Sequence, residues 1–126
     1  DYNKSNTKYR KYNGYFSKKE AESVWKKTDI LVAPSQCPET FGFIVLEALA
    51  RGIPVISSEL YGSSYLLKKY SKYFVFSHNN KDELTQKIKF LLNKNNYESA
   101  CEMINDIELE LDLKEHVRKI MKMYIE

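Results

Sequence analysis

Two rhythms alternate along this chain. Short unbroken apolar runs, "ILVA" at residues 30–33, "IPVI" at 53–56 and "YFVF" at 73–76, are separated by longer stretches in which apolar residues recur every third or fourth position. A run of about four apolar residues closed by a breaker suits a strand buried on both faces, whereas the spaced repeat suits a helix with one buried stripe. "KKEAESVWKKT" predicts a helix over about 18–28, opened by Ser17 and Glu20 as a reciprocal N-terminal cap. Pro34 stops the first strand and "PSQCPET" reads as loop. The run from Gly42 or Phe43 to Arg51 suits a helix that Gly52 ends in a left-handed conformation. A further helix is expected over 63–70, and an amphipathic one from Asp82 to about Lys94 with Leu84, Ile88, Leu91 and Leu92 on one face.

Strands and helices in alternation predict an α/β fold: a parallel, Rossmann-like sheet with flanking helices in a single domain spanning residues 1–126. Upstream, "KYRKYNGYF" has extended character. Downstream, "IELELDL" alternates with period two and fits strand, linker or frayed helix, so it is left unassigned. A C-terminal helix falls within 112–126, from about Lys114, with Leu113, Val117, Ile120, Met121 and Tyr124 at helical spacing.

Composition narrows the class. At 126 residues with 43% hydrophobic and 13% aromatic residues, the chain is long enough for one buried core and lacks any apolar run that could span a bilayer. No secretory leader is recognisable, and Cys37 and Cys101 have neither disulfide-scaffold nor metal spacing; the cytoplasm is the expected compartment, with membrane association of a longer protein left open. His78 and His116 form no metal set. The net charge of +3 resides in residues 1–16, where Lys4, Lys8, Arg10 and Lys11 face only Asp1. Basic and tyrosine residues together suit a nucleic-acid arm. Yet Lys, Asn and Tyr are abundant throughout, so no nucleic-acid partner is expected.

Candidate chemistry concentrates in "PSQCPETFGFIVLEALARGIPV", residues 34–55, where the apolar run from Phe41 to Ala50 is broken by Glu47, eight positions after Glu39. In parallel α/β sheets ligands bind beyond the carboxyl ends of strands, and this loop lies at such an end, directly before a helix. The free amides of that first turn, about Gly42 to Val45, can cradle a phosphate, and Gly42 has no side chain to keep a ligand away. Glu47, one turn deeper, suits the vicinal hydroxyls of a ribose, and Glu39 would face the other end of the ligand. Glu47 also has a plain reading, as a solvated residue near a helix start, and Cys37, with no His in a matching motif, reads as a small buried hydrophobe rather than a nucleophile.

The whole stretch resembles the pattern P-S-x3-E-x-F-G-x3-L-E-A-x-A-x-G-x-P-V of the retaining nucleotide-sugar glycosyltransferases of the GT-B fold, glycosyltransferase family 4 ("group 1"). The likeness extends from about Asn13 to the C-terminus and is specific from Asp29 to Ser58. It implies that the chain is part of the C-terminal, donor-binding lobe of an enzyme that transfers a hexosyl unit to a sugar or lipid-linked acceptor in polysaccharide or glycolipid synthesis. It further implies that Glu47 holds the ribose, that Phe43 and Ile44 offer amides to the phosphates, and that Glu39, the candidate catalytic residue, positions the donor sugar together with the backbone of Thr40, Phe41 and Gly42. No cofactor or divalent metal is expected, because amides and basic groups stabilise the departing diphosphate.

Departures accompany the likeness. The family's Arg and Lys for the diphosphate, and its acceptor-binding N-terminal lobe, fall upstream of anything matched here, so this chain alone is expected to be inactive. Tyr61-Gly62-Ser63-Ser64 stands where many members have Gly-Gly followed shortly by Glu. With the family's strand order 3-2-1-4-5-6, the strand at Ile30–Ala33 would have an open edge, expected to be covered by residues 8–16 or by a second copy of the chain. A non-catalytic GT-B-like binding or partner lobe is the alternative; retention of both glutamates favours the enzyme.

Overall fold

The computed structural model describes residues 7–107. Within them three parallel strands, β1 (Leu31–Ala33), β2 (Val55–Ser58) and β3 (Val75–Phe76), lie in the order β1-β2-β3. Five α-helices accompany them: α1 (Lys18–Trp25), α2 (Phe43–Leu49), α3 (Ser64–Tyr70), α4 (Lys81–Leu91) and α5 (Lys94–Asn105). This is the expected α/β class with a parallel sheet. All four residues of the central β2 are buried, as an apolar run bounded by covered faces requires. Its two serines are internally satisfied: the Ser57 hydroxyl donates to the Ser58 carbonyl at 2.9 Å, and the Ser58 hydroxyl accepts from the Leu60 amide at 3.2 Å. Around β2 the core gathers Val45, Leu49, Ile56, Leu67, Phe74, Leu91 and Ile104, with Trp25 at its margin.

Local chemistry accounts for most of the ends. At α1 the Glu20 carboxylate accepts from both the amide and the hydroxyl of Ser17, at 2.8 and 2.7 Å, which holds its pKa below the ordinary carboxylate range. At the close of α2 the amides of Gly52 and Ile53 donate back to Leu49 and Ala48, with Gly52 at φ +69°. This is the left-handed stop expected there, and only glycine adopts it without strain. Arg51 secures the same end. Its guanidinium donates to the Glu47 carbonyl at 2.8 Å, pairs with Glu22 of α1 and lies over the Trp25 ring.

Four expectations need correction. "KYRKYNGYF" forms no strand: Thr7 and Arg10 make one antiparallel bridge across a tight turn, and residues 7–20 are all exposed. Without a buried face there is nothing to set a register. Residues 8–16 therefore do not cover β1, and among the described residues no strand pairs with its outer edge. "YFVF" is mostly a 3₁₀ turn, Lys72–Phe74, and only Val75 and Phe76 pair with β2. The helix expected to run to Lys94 ends at Leu91, and Leu92 is exposed rather than part of the core face. Asn93 makes the break: its side-chain oxygen accepts from the amides of Asn95 and Asn96 and opens α5, which sequence reasoning did not anticipate. The segments "ELELDL" and 112–126 lie outside the described residues.

Beyond the strand ends the parallel pairing resumes. Ala33 stands opposite Ser57 and Glu39 opposite Tyr61, six residues along one chain against four along the other, so the loop from Pro34 to Pro38 bulges outward. Three bonds hold the resumed pairing, Glu39 amide to Leu60 carbonyl at 3.0 Å, Gly62 amide to Glu39 carbonyl at 2.9 Å and Ser63 amide to Phe41 carbonyl at 3.0 Å. Glycine at 62 is required sterically, because a Cβ there would collide with the Thr40 carbonyl oxygen.

Two outcomes follow for stability. Asn93→Ala should cost about 1 kcal/mol, the usual loss of a side-chain N-cap, measured by urea unfolding; an unchanged midpoint would mean that Asn93 does not hold the α4–α5 break. Gly62→Ala should cost about 1–3 kcal/mol through backbone overlap, whereas Ser63→Ala, which removes a buried hydroxyl with no partner, should be neutral or stabilising. Equal destabilisation by the two would contradict this assignment of the contact.

Candidate functional site

The residues singled out from the sequence fall on one continuous turn of chain. Glu39 and Thr40 close the bulged loop, Phe41 and Gly42 carry it over, and Phe43 and Ile44 begin α2. None of the amides from Thr40 to Ile44 donates a hydrogen bond among the described residues; the first amide of this run to do so is that of Val45, to the Gly42 carbonyl at 2.9 Å. α1, α4 and α5 have side-chain acceptors at their starts, but α2 has none: its N-cap is Gly42, at φ +73° and ψ +63°. Five successive N–H groups thus have no acceptor among the described residues, just beyond the carboxyl end of a parallel strand, and unused amides of this kind can receive an anion.

The helix behind the turn has two faces. Val45, Leu46, Ala48 and Leu49 are buried, and Phe43, Ile44 and Glu47 are exposed. The charge that breaks the apolar run therefore lies on the outward face beside Phe43, which is 71% exposed and packs edge-on against Phe41 with ring centroids 5.5 Å apart. Neither the Glu39 nor the Glu47 carboxylate has a hydrogen bond or ion pair among the described residues. Both remain free to accept from a ligand.

Gly42 serves a purpose other than the one read from the sequence. The space a Cβ would take is filled by the Tyr61 ring, so this glycine admits a neighbouring side chain rather than leaving an open approach. Tyr61 is the residue that sequence reasoning missed at this site. Its only signal in the sequence was the departure of Tyr61-Gly62-Ser63-Ser64 from the pattern that the chain resembles. Burial, and then the Glu39 carboxylate, push its phenol above the ordinary tyrosine range.

On the other side of the 59–63 segment, the Glu59 amide donates to the Phe76 carbonyl at 2.9 Å, and the Glu59 carboxylate accepts from the His78 amide at 3.1 Å and lies 2.8 Å from its Nδ1. These contacts with His78 hold the Glu59 carboxyl below its usual range. A pocket of about 340 Å³ opens beside them, lined by Lys68, Lys72, Tyr73, Glu83 and Lys87 among others, and none of the expected site residues lines it. Its buried Lys87 is internally used, donating to the Lys72 carbonyl at 2.8 Å and pairing with Glu83 at 3.2 Å.

A search of curated proteins and a search of solved structures each found no match. A family model described as "Glycosyl transferases group 1" matches residues 4–108. That span contains the bulged loop, the amide array and both glutamates, and it covers most of the 126 residues; the chain belongs to the group 1 glycosyl transferases, whose class of reaction is glycosyl transfer.

Proposed function

We propose that this chain binds the nucleotide-sugar donor of a retaining glycosyltransferase of family 4, as part of the C-terminal lobe of a GT-B fold. The full enzyme would transfer a hexosyl unit to a sugar or lipid-linked acceptor in the cytoplasm, in polysaccharide or glycolipid synthesis. One observation carries the reading: five consecutive unpartnered amides, Thr40 to Ile44, flanked by two unpartnered carboxylates, Glu39 and Glu47. Amides stabilise a diphosphate without a divalent metal. A carboxylate repels phosphate but accepts readily from a diol, so the two glutamates belong to the ends of the ligand, Glu47 to the ribose and Glu39 to the sugar.

Thermal stabilisation by UDP-, GDP- and ADP-sugars identifies the base, since a ligand that binds only the folded chain raises its stability. Glu47→Ala should then weaken nucleoside diphosphate binding about tenfold to a hundredfold, the equivalent of losing charge-assisted bonds worth roughly 1.5–3 kcal/mol, with the fold intact because the side chain is exposed. Unchanged affinity by calorimetry would return Glu47 to an ordinary solvated residue. Glu39→Gln should weaken the intact nucleotide sugar more than the bare diphosphate, and an equal loss for both ligands would remove Glu39 from the sugar.

A further inference from the structure

We propose that Tyr61 is a specificity-determining residue of the donor site, its hydroxyl and the Glu39 carboxylate forming one paired reader of the sugar's hydroxyl groups. The inference rests on the donor-binding reading above.

Backbone and side chain place the two together. Glu39 and Tyr61 are bridge partners on adjacent parallel segments, locked by the Glu39 amide bond to Leu60 and the Gly62 amide bond to Glu39. The Tyr61 ring is committed to structure, because it fills the space above Gly42 and packs against the core. Its hydroxyl is not committed. It makes no hydrogen bond among the described residues, and the buried side-chain polar atoms without a partner there comprise the Ser63 hydroxyl alone, so the phenol oxygen reaches solvent. An unused donor and acceptor thus lies next to an unused carboxylate, at the end of the amide array where the sugar of a nucleotide sugar would lie. Burial, and then the Glu39 carboxylate, raise the pKa of the phenol.

Chemistry decides what such a pair selects. A carboxylate only accepts, whereas a phenol both donates and accepts, so together they match a pyranose hydroxyl that donates to Glu39 while accepting from Tyr61. Glycine at this position offers no such group. The ring and the hydroxyl have separable roles, and this permits a clean test.

Calorimetry on the full chain compares UDP-, GDP- and ADP-glucose with the matching diphosphates. Tyr61→Phe keeps the ring, so it should leave diphosphate affinity unchanged and weaken the nucleotide sugar about threefold to thirtyfold, the range of one or two hydrogen bonds. Combined with Glu39→Gln it should lose less than the product of the two single effects, because both groups hold the same sugar hydroxyl. Tyr61→Ala, which empties the space above Gly42, should weaken both ligands. Wild-type affinity of Tyr61→Phe for the nucleotide sugar, or an equal loss for both ligands, would overturn the proposal while leaving the donor site in place. Failure of the unmodified chain to bind any of the six ligands would overturn the donor reading, and the sugar-reading role with it. The pairing is also read without ligand: in ¹³C-tyrosine NMR, Glu39→Gln should lower the Tyr61 phenol pKa, and an unmoved titration would show that the two groups are not coupled.

Discussion

The site depends on a backbone seam, the resumed parallel pairing of residues 39–41 with 60–63 beyond the ends of β1 and β2. Three hydrogen bonds close it, and one glycine makes it possible, since only a residue without Cβ can sit against the Thr40 carbonyl. The segment 59–63 is thereby held from both sides, by residues 39–41 on one and by the Glu59 contacts with Phe76 and His78 on the other. The Glu59 side chain accepts the His78 amide, a bond that a neighbouring strand would otherwise supply, so the sheet's pairing is carried past the point where its strands end. Binding loops are usually the mobile part of a fold. Here the seam ties the loop to the segment that follows the central strand.

An unpartnered amide costs little while water reaches it and a great deal when it is dry. α4 and α5 give amides of their first turns a side-chain acceptor, Asn80 and Asn93, and at the start of α1 Glu20 accepts the Ser17 amide; α2, like α3, has no side-chain cap. That is a small local sacrifice of helix stability, roughly a few tenths of a kcal/mol with glycine in the cap position. The compensation comes from elsewhere on α2. Its buried face of Val45, Leu46, Ala48 and Leu49 packs into the core, and its far end is closed by Gly52.

How far the sequence could be read depended on the range of the interaction involved. The Ser17–Glu20 cap, the Gly52 stop and the burial of β2 are set within a few residues, and all appeared where the pattern placed them. The position of the candidate site was legible for a similar reason, because its loop, glycine and helix start are contiguous. Asn93 was local too, but Leu91 and Leu92 carried the apolar pattern through the break and hid the cap. Tyr61 was not legible. Its contact with Gly42 spans nineteen residues and follows from how the seam brings two loops together, which no periodicity records. The "KYRKYNGYF" segment failed in the opposite sense, since β-forming residue types were present without a face to bury.

The arrangement also explains how a helix as short as α2, seven residues, can present its first amides in a fixed direction. A helix of two turns has little intrinsic stability and frays from both ends. At the carboxyl end Arg51 joins the Glu47 carbonyl to Glu22 and Trp25 of α1, so fraying there would break an ion pair and a ring contact as well as backbone bonds. At the amino end no cap is present to resist fraying, and the restraint is steric: Gly42, already in a left-handed conformation, cannot rotate freely beneath the Tyr61 ring. A side-chain cap would have stabilised the same end by occupying one or two of the amides. Holding the turn by packing instead of by a hydrogen bond leaves all five amides without a protein acceptor among the described residues.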